Sequence, residues 1–387
     1  MSKTRSNVSS LGYVNKIREN ILDIRKNRLL PLYEDLKSAN CVVCAGSGRS
    51  LFSLNAAMSQ IAMSQIGWRN KVILTPDDPG FPGKDMYDAA LELERRYKKT
   101  LLLISSGSGL SEDPLVMAQD LERYIDEKKT TKFSMGLVTS NLNSPLARIV
   151  RQHGHAIDLK GRGVSKPQFE YSKVGIMGDM FELGSLLLLC VMTEAIFRNL
   201  TVDDIFELCE EEFINIGTMI DSNVGSETYT RLLDILERRS DVFLGGKGTA
   251  NEIMKMTAVR LFHIKSFLGD DVYTARGVNT PRPRAGDLEI LLSYSGETKP
   301  VIGWCDIFKK LNGIVLSITG VKNSTLAKKS DYQVTLEETV RLGQPRRFYM
   351  RAAYVLSPLP VRLAERLSER GLKLPEYIIN WYHSVTQ

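Results

Sequence analysis

Leu101-Leu102-Leu103-Ile104-Ser105-Ser106-Gly107-Ser108-Gly109-Leu110-Ser111 returns about 187 residues later as Leu288-Glu289-Ile290-Leu291-Leu292-Ser293-Tyr294-Ser295-Gly296-Glu297-Thr298. Each copy is an apolar run ending in glycines and hydroxyls. That is the form of a buried parallel strand whose carboxyl end opens into a ligand-binding turn. Two more pairs flank it in the same order. Gly46-Ser47-Gly48-Arg49 answers to Gly246-Lys247-Gly248-Thr249, and Ser144-Pro145-Leu146-Ala147 answers to Ser324-Thr325-Leu326-Ala327. The offsets fall from about 200 to 187 to 180, because the first copy has longer connections. Three ordered matches at equivalent points indicate duplication of a whole domain rather than a solenoid array.

Hydrophobic periodicity fills in the elements between these anchors. In the first half it predicts a long helix at 13–38, then strands at 41–45, 71–75, 100–105, 134–139 and 155–159. Helices from about 50 and at 86–98, 110–128 and 144–152 alternate with them. The second half repeats the order, with strands at 241–245, 271–275, 288–293, 313–319 and 332–336 and helices at 249–268, 300–311 and 324–329. This alternation makes the chain α/β, with two parallel five-stranded sheets flanked by helices. The division expected is residues 1–200 for the first domain with its N-terminal helix, 201–239 for a helical connection, and 240–387 for the second domain with a helical tail.

Bulk properties narrow the class. A chain of 387 residues is long for one core, and 43% hydrophobic with 25% charged residues suits a globular protein. The net charge of +6 is spread without a Lys/Arg block, so it suits a small anionic ligand and does not call for nucleic acid. Cys41 and Cys44 have CxxC spacing, but they lie in the apolar run Cys41-Val42-Val43-Cys44-Ala45 with no second CxxC or CxxH. Core packing is the reading favoured over metal or redox work. His153 and His155 read as loop residues beside a glycine, and His383 has no recognisable partner, so no metal site is expected. The N-terminal MSKTRSNVSSLG has no apolar stretch behind it, and the apolar run from Leu186 towards Phe197 is too short to span a bilayer. A cytoplasmic protein without a membrane partner is expected.

Glycines between a strand and a helix let backbone amides face a phosphate, and Gly46-Ser47-Gly48 has that form. Position 51 is Leu51, so the GxGxxG dinucleotide fingerprint fails. The clustered hydroxyls of Ser106, Ser108 and Ser111 around Gly107 and Gly109 can encircle a phosphate without a basic residue. An ordinary Ser/Gly turn is the alternative, but its recurrence as Ser293, Ser295 and Thr298 favours phosphate.

GSGRS, SGSG, and Thr139-Ser140-Asn141 leading to SPLA together resemble the sugar isomerase (SIS) domain, nearest to 6-phospho-3-hexuloisomerase. The signature GTxFE of that family is echoed by Met177-Gly178-Asp179-Met180-Phe181-Glu182, with Ser172-Lys173 upstream. Its MRLMH segment is echoed by Ala258-Val259-Arg260-Leu261-Phe262-His263, and Thr280-Pro281 and Gly286-Asp287-Leu288 also match. The resemblance covers most of residues 13–340. It implies two flavodoxin-like SIS domains in tandem, related by a pseudo-two-fold axis. It also implies aldose–ketose type isomerisation through an enediolate, without metal or nucleotide. The glutamate and histidine of the family fall on Glu182 and His263.

The family is usually a single SIS domain that oligomerises, so a tandem chain departs from it. Each half lacks what the other keeps: the counterpart of His263 falls at or near Ser64, and that of Glu182 near Tyr349. One composite site is therefore expected, with Glu182 as base, His263 from the second half, and a phosphate near Gly46, Ser47, Gly48, Arg49, Ser50, Ser106, Gly107, Ser108 and Ser111. Lys247, Ser293, Ser295 and Thr298 are left as a structural loop or a second anion site. Asp179 and Leu110 depart from the family, which has threonine and glutamate there. Tandem SIS chains also resemble glucokinase-regulator-type proteins, so a non-catalytic phosphosugar sensor is the rival reading. A transcriptional regulator is disfavoured because residues 1–38 offer one helix only. A phosphorylated monosaccharide is the expected partner, no cofactor is expected, and a homodimer of such chains stays open.

Overall fold

The computed structural model describes residues 6–162, 171, 179–275 and 280–375. Ser172, Lys173, Met177, Gly178, His383 and residues 276–279 lie outside the described residues. The first half runs α1 Gly12–Leu22, α2 Lys26–Ser38, β1 Cys41–Gly46, α3 Gly48–Met63, α4 Gln65–Asn70, β2 Val72–Leu74, α5 Met86–Arg96 and β3 Thr100–Ser105. It continues through α6 Glu112–Lys128, β4 Phe133–Thr139, α7 Pro145–His153, β5 Gly154–Asp158 and α8 Asp179–Arg198. Then come α9 Val202–Val224, α10 Glu227–Glu237, β6 Val242–Gly246, α11 Thr249–Phe267, β7 Val272–Thr274 and β8 Leu288–Ser293. The chain closes with α12 Lys299–Lys310, β9 Ile314–Thr319, α13 Thr325–Lys329, β10 Tyr332–Thr335, α14 Phe348–Leu356 and α15 Pro358–Glu369.

The two sheets have the orders β2-β1-β3-β4-β5 and β10-β9-β8-β6-β7, with every pairing parallel. Read from β6, the second order is the first repeated. It is the flavodoxin-like order, in which ligands sit beyond the carboxyl ends of the two central strands where the winding reverses. Here those strands are β1 with β3, and β6 with β8.

The central strands are buried on both faces, yet their side chains still sort by the two-residue period. Val42, Cys44, Leu101 and Leu103 face a central core, while Cys41, Val43, Ala45, Leu102 and Ile104 face α5, α6 and α7. In the second sheet Val242, Leu244, Leu288, Ile290 and Leu292 join that same central core, and Phe243 and Leu291 pack outward under α12. One continuous apolar body thus unites the inner faces of both sheets. Cys44 belongs to that body and Cys41 to the outer cluster, both as core residues, with burial raising both thiol pKa values, that of Cys41 to about 12.

α3 and α11 lie antiparallel at the centre. Arg49, near the start of α3, donates from Nε to the Met256 carbonyl at 3.1 Å, and Ser59, near its end, meets Thr249 at 2.7 Å. Such reciprocal contacts are what an internal two-fold axis produces.

Three expectations are corrected. The predicted helix at 13–38 is two helices broken at Asp23–Arg25, because α1 packs on α8 and α9 whereas α2 packs on β5. These two precede β1 as α9 and α10 precede β6. His153 ends α7 and His155 lies on β5, so neither is a loop residue. The apolar run at Leu186 belongs to α8, whose 20 residues and mean hydropathy of 1.8 would suffice to cross a membrane. Of its most apolar window, 83% is buried inside the molecule, so burial rather than length marks it as a core helix.

Candidate functional site

The two hydroxyl loops have the same internal geometry. Gly109 N–H donates to Ser106 Oγ at 3.2 Å, as Gly296 N–H does to Ser293 Oγ at 3.2 Å. Leu110 N–H donates to Ser108 Oγ at 3.2 Å, as Glu297 N–H does to Ser295 Oγ at 3.1 Å. Gly109 and Gly296 have φ of 65° and 64°, and a Cβ on either would collide with the hydroxyl of Ser144 or Ser324. Those serines cap α7 and α13 by accepting from Ala147 and Ala327. The repeated glycine is therefore required twice over, by backbone conformation and by space.

One departure from the family follows from local chemistry. Glu297 in the second loop accepts from the Thr325 N–H at 2.7 Å. The first-half counterpart of Thr325 is Pro145, which has no N–H, so a glutamate at position 110 would find no donor there. Leu110 occupies that position and is exposed.

Helix α8 starts beside the first loop. The Phe181 ring lies 3.0 Å from where a Cβ on Gly107 would sit, and one turn on, Ser185 Oγ meets Ser105 Oγ at 3.2 Å. Asp179 and Glu182, on another face of that first turn, point to the interdomain helices. Arg49 from α3 and Arg260 from α11 converge on them. Arg49 is ion-paired with Asp179, and Arg260 donates from Nε to Asp179 Oδ1 at 2.9 Å. Glu182 Oε2 stands 3.6 Å from Arg49 Nη1 and 3.9 Å from Arg260 Nη2. All four side chains are 2–7% exposed, so two cations and two carboxylates form a neutral buried cluster. Burial, with Arg49 beside it, lowers the pKa of Arg260. Glu182 Oε2 is buried with no hydrogen-bond donor among the described residues. The cavity between Arg49, Asp179, Met256 and Arg260 is about 10 Å³, room for about one water.

His263 follows Arg260 by one turn of α11. Burial comes first, then the positive charges of Arg260 and Arg49, in lowering its pKa to about 4, so the imidazole is neutral at pH 7. The turn glycines fix the offset between α3 and α11 at 200, which puts Met63, next to Ser64, at the counterpart position. Met63 Sδ accepts from Thr249 there.

Not every candidate converges. Arg49 points into the ion cluster, Ser47 Oγ faces the Asp113 carboxylate at 3.3 Å, and the Ser50 carbonyl accepts from Ser53. Lys247 lies 5.4 Å over the Trp304 ring. In the second loop Ser293 and Thr298 hydroxyls bond each other at 3.0 Å. Sequence reasoning missed Arg260 as a partner of Glu182, although it lies inside the segment quoted for His263. It also treated Asp179 as a bare departure, where it is the carboxylate that pairs with both arginines. No group of three or more His, Cys, Asp or Glu residues able to hold a metal is found among the described residues.

Residues 235–341, which contain β6 to β10, match the profile of the SIS domain. This segment is a SIS domain. The first half repeats the SIS architecture in sheet order and in both loop geometries. The 3-hexulose-6-phosphate isomerase of Bacillus subtilis is 32% identical over 108 residues, which are 28% of this chain and 56% of that protein. An uncharacterised protein of Archaeoglobus fulgidus is 30% identical over 125 residues, 32% of this chain and 64% of the relative. The chain thus spans between about half and two thirds of the curated relatives it matches. The tagatose-6-phosphate ketose/aldose isomerase structure from Escherichia coli superposes with a TM-score of 0.59 at 12% identity, covering 93% of this chain and 95% of that one. That likeness establishes the two-domain fold and nothing finer.

Proposed function

We propose that this chain binds a phosphorylated ketohexose at the first-half loop and isomerises it through an enediolate, with Glu182 as the base. The observation that carries the reading is the Glu182 carboxylate. Its Oε2 is buried, lacks a hydrogen-bond donor among the described residues and is flanked by two guanidiniums. A buried acceptor left without a donor calls for an explanation, and a proton to be abstracted supplies one. The B. subtilis relative named 3-hexulose-6-phosphate isomerase supports the choice of substrate class.

In that reaction Glu182 takes the proton from C2 of the 3-hexulose 6-phosphate and returns it to C3, while the hydroxyl proton moves from O2 to O3. A neutral imidazole at His263 can pass that second proton, and Arg49 and Arg260 stand where they would offset charge on the enediolate oxygens. Hydroxyls and amides of Ser106 to Ser111 hold the phosphate.

A second reading has its own support. Both guanidiniums beside Glu182 are also paired with Asp179, and the adjoining cavity of about 10 Å³ cannot admit a sugar. A sensor whose ion cluster latches the two halves together fits those facts. Proton exchange at C3 of fructose 6-phosphate in D₂O, followed by NMR, separates the two. Exchange that vanishes in Glu182→Gln while the ligand still binds supports the isomerase. Tight binding without exchange in the native chain rejects it for the sensor.

A further inference from the structure

The duplicated loops differ at their second residue, Gly107 in one and Tyr294 in the other, and a compensating difference lies opposite. The Gly107 carbonyl accepts from Ser140 N–H at 3.1 Å, and the Tyr294 carbonyl accepts from Gly320 N–H at 2.8 Å, so Ser140 and Gly320 are counterparts. A Cβ on Gly320 would lie 2.5 Å from the Tyr294 ring. Glycine and the larger residue have thus changed places between the halves.

The exchange decides what covers each loop. In the first half Ser140 Oγ donates to the Leu159 carbonyl at 2.7 Å and accepts from Arg162 N–H at 3.3 Å. This anchors the segment leaving β5 so that the Arg162 side chain crosses Gly107: Cδ would be 2.7 Å, and Nη1 3.3 Å, from a Cβ built there. In the second half Gly320 has no hydroxyl, and Tyr294 does the anchoring by donating to the Glu338 carbonyl at 2.8 Å. Arg346 then stacks on the Tyr294 ring at 3.7 Å, so the second-half guanidinium lies against an aromatic face where Arg162 lies against the bare Gly107.

We infer that Arg162 is the cation that holds a phosphate group at the first loop, and that Tyr294 closes the second loop to phosphate, so that the chain has one phosphate site rather than two. This deepens the proposed function and rests on its placing of the ligand at the first loop. A ring of neutral hydroxyls and amides leaves a phosphate dianion without a counter-charge. A guanidinium fork directly over the loop supplies two donors and that charge. Charge-assisted hydrogen bonds of this kind contribute about 1.5–3 kcal/mol, so removing the fork weakens binding by about ten- to a hundred-fold.

Calorimetric titration of the full chain with inorganic phosphate and with fructose 6-phosphate tests this. One equivalent is expected to bind, with affinity falling at least about tenfold in Arg162→Ala and partly recovered in Arg162→Lys. Arg346→Ala should leave the affinity within about twofold of native, and its thermal unfolding serves as the control for global damage. Tyr294→Gly should raise the stoichiometry to two. Two equivalents in the native chain, or native affinity in Arg162→Ala, overturns the inference. Phosphate that binds once and is lost in Arg162→Ala, with no exchange on fructose 6-phosphate, upholds it and rejects the isomerase. No binding of either ligand to the native chain rejects both.

Discussion

Replacing Arg260 by methionine leaves Arg49, Asp179 and Glu182 in the cluster, a net charge of −1 on side chains 2–7% exposed. Removing one partner from a buried ion pair costs about 3–5 kcal/mol, chiefly because the remaining charge stays desolvated. Asp179→Leu is the mirror case, with a net charge of +1 and a similar cost. The double variant restores neutrality with apolar groups of comparable volume, and it is expected to be more stable than either single one. Urea unfolding, which avoids the screening that guanidinium would introduce, gives the free energies from midpoints at constant slope. If each single change costs less than about 1 kcal/mol, or the double variant loses the sum of the two, the cluster does not join the halves as described.

His263 gives a pH prediction with a definite sign. Its folded pKa of about 4 lies below the usual imidazole value, so the unfolded chain takes up the proton first as pH falls. Its contribution to stability is complete above about pH 6.5 and drains away as pH drops towards 4. NMR of the ring should show no titration between pH 8 and 5, and a midpoint near 6.5 would contradict the buried, cation-flanked placement. Loop chemistry gives another: Glu297→Leu should lower Tm by removing the acceptor of the Thr325 N–H, whereas Leu110→Glu should not raise it, since Pro145 offers no donor. A rise in Tm for Leu110→Glu would show that the carboxylate finds a partner by another route.

What was legible in the sequence was local. The strand at Thr100–Ser105 and the strand at Leu288–Ser293 fall on their predicted limits, because each is a short, mainly apolar run stopped by a Ser/Gly turn. The loop geometries followed from their repetition. The break at Asp23–Arg25 did not, since both sides keep helical periodicity and only their packing partners differ. Nor did the pairing of Arg260 with Asp179, 81 residues apart, or the crossing of Arg162 over Gly107. Such contacts depend on how the halves and the strand exits are arranged in space, and no spacing in the chain encodes them.

The trade of Gly107 and Ser140 for Tyr294 and Gly320 has a consequence for descent. In a dimer of identical subunits a tyrosine at the loop position would appear twice and shut both openings together. Once both copies lie in one polypeptide, a mutation in one is silent in the other. Joining the halves covalently would thus make lopsidedness heritable: on the inferred single phosphate site, one copy could keep the pocket while its twin became a support for it.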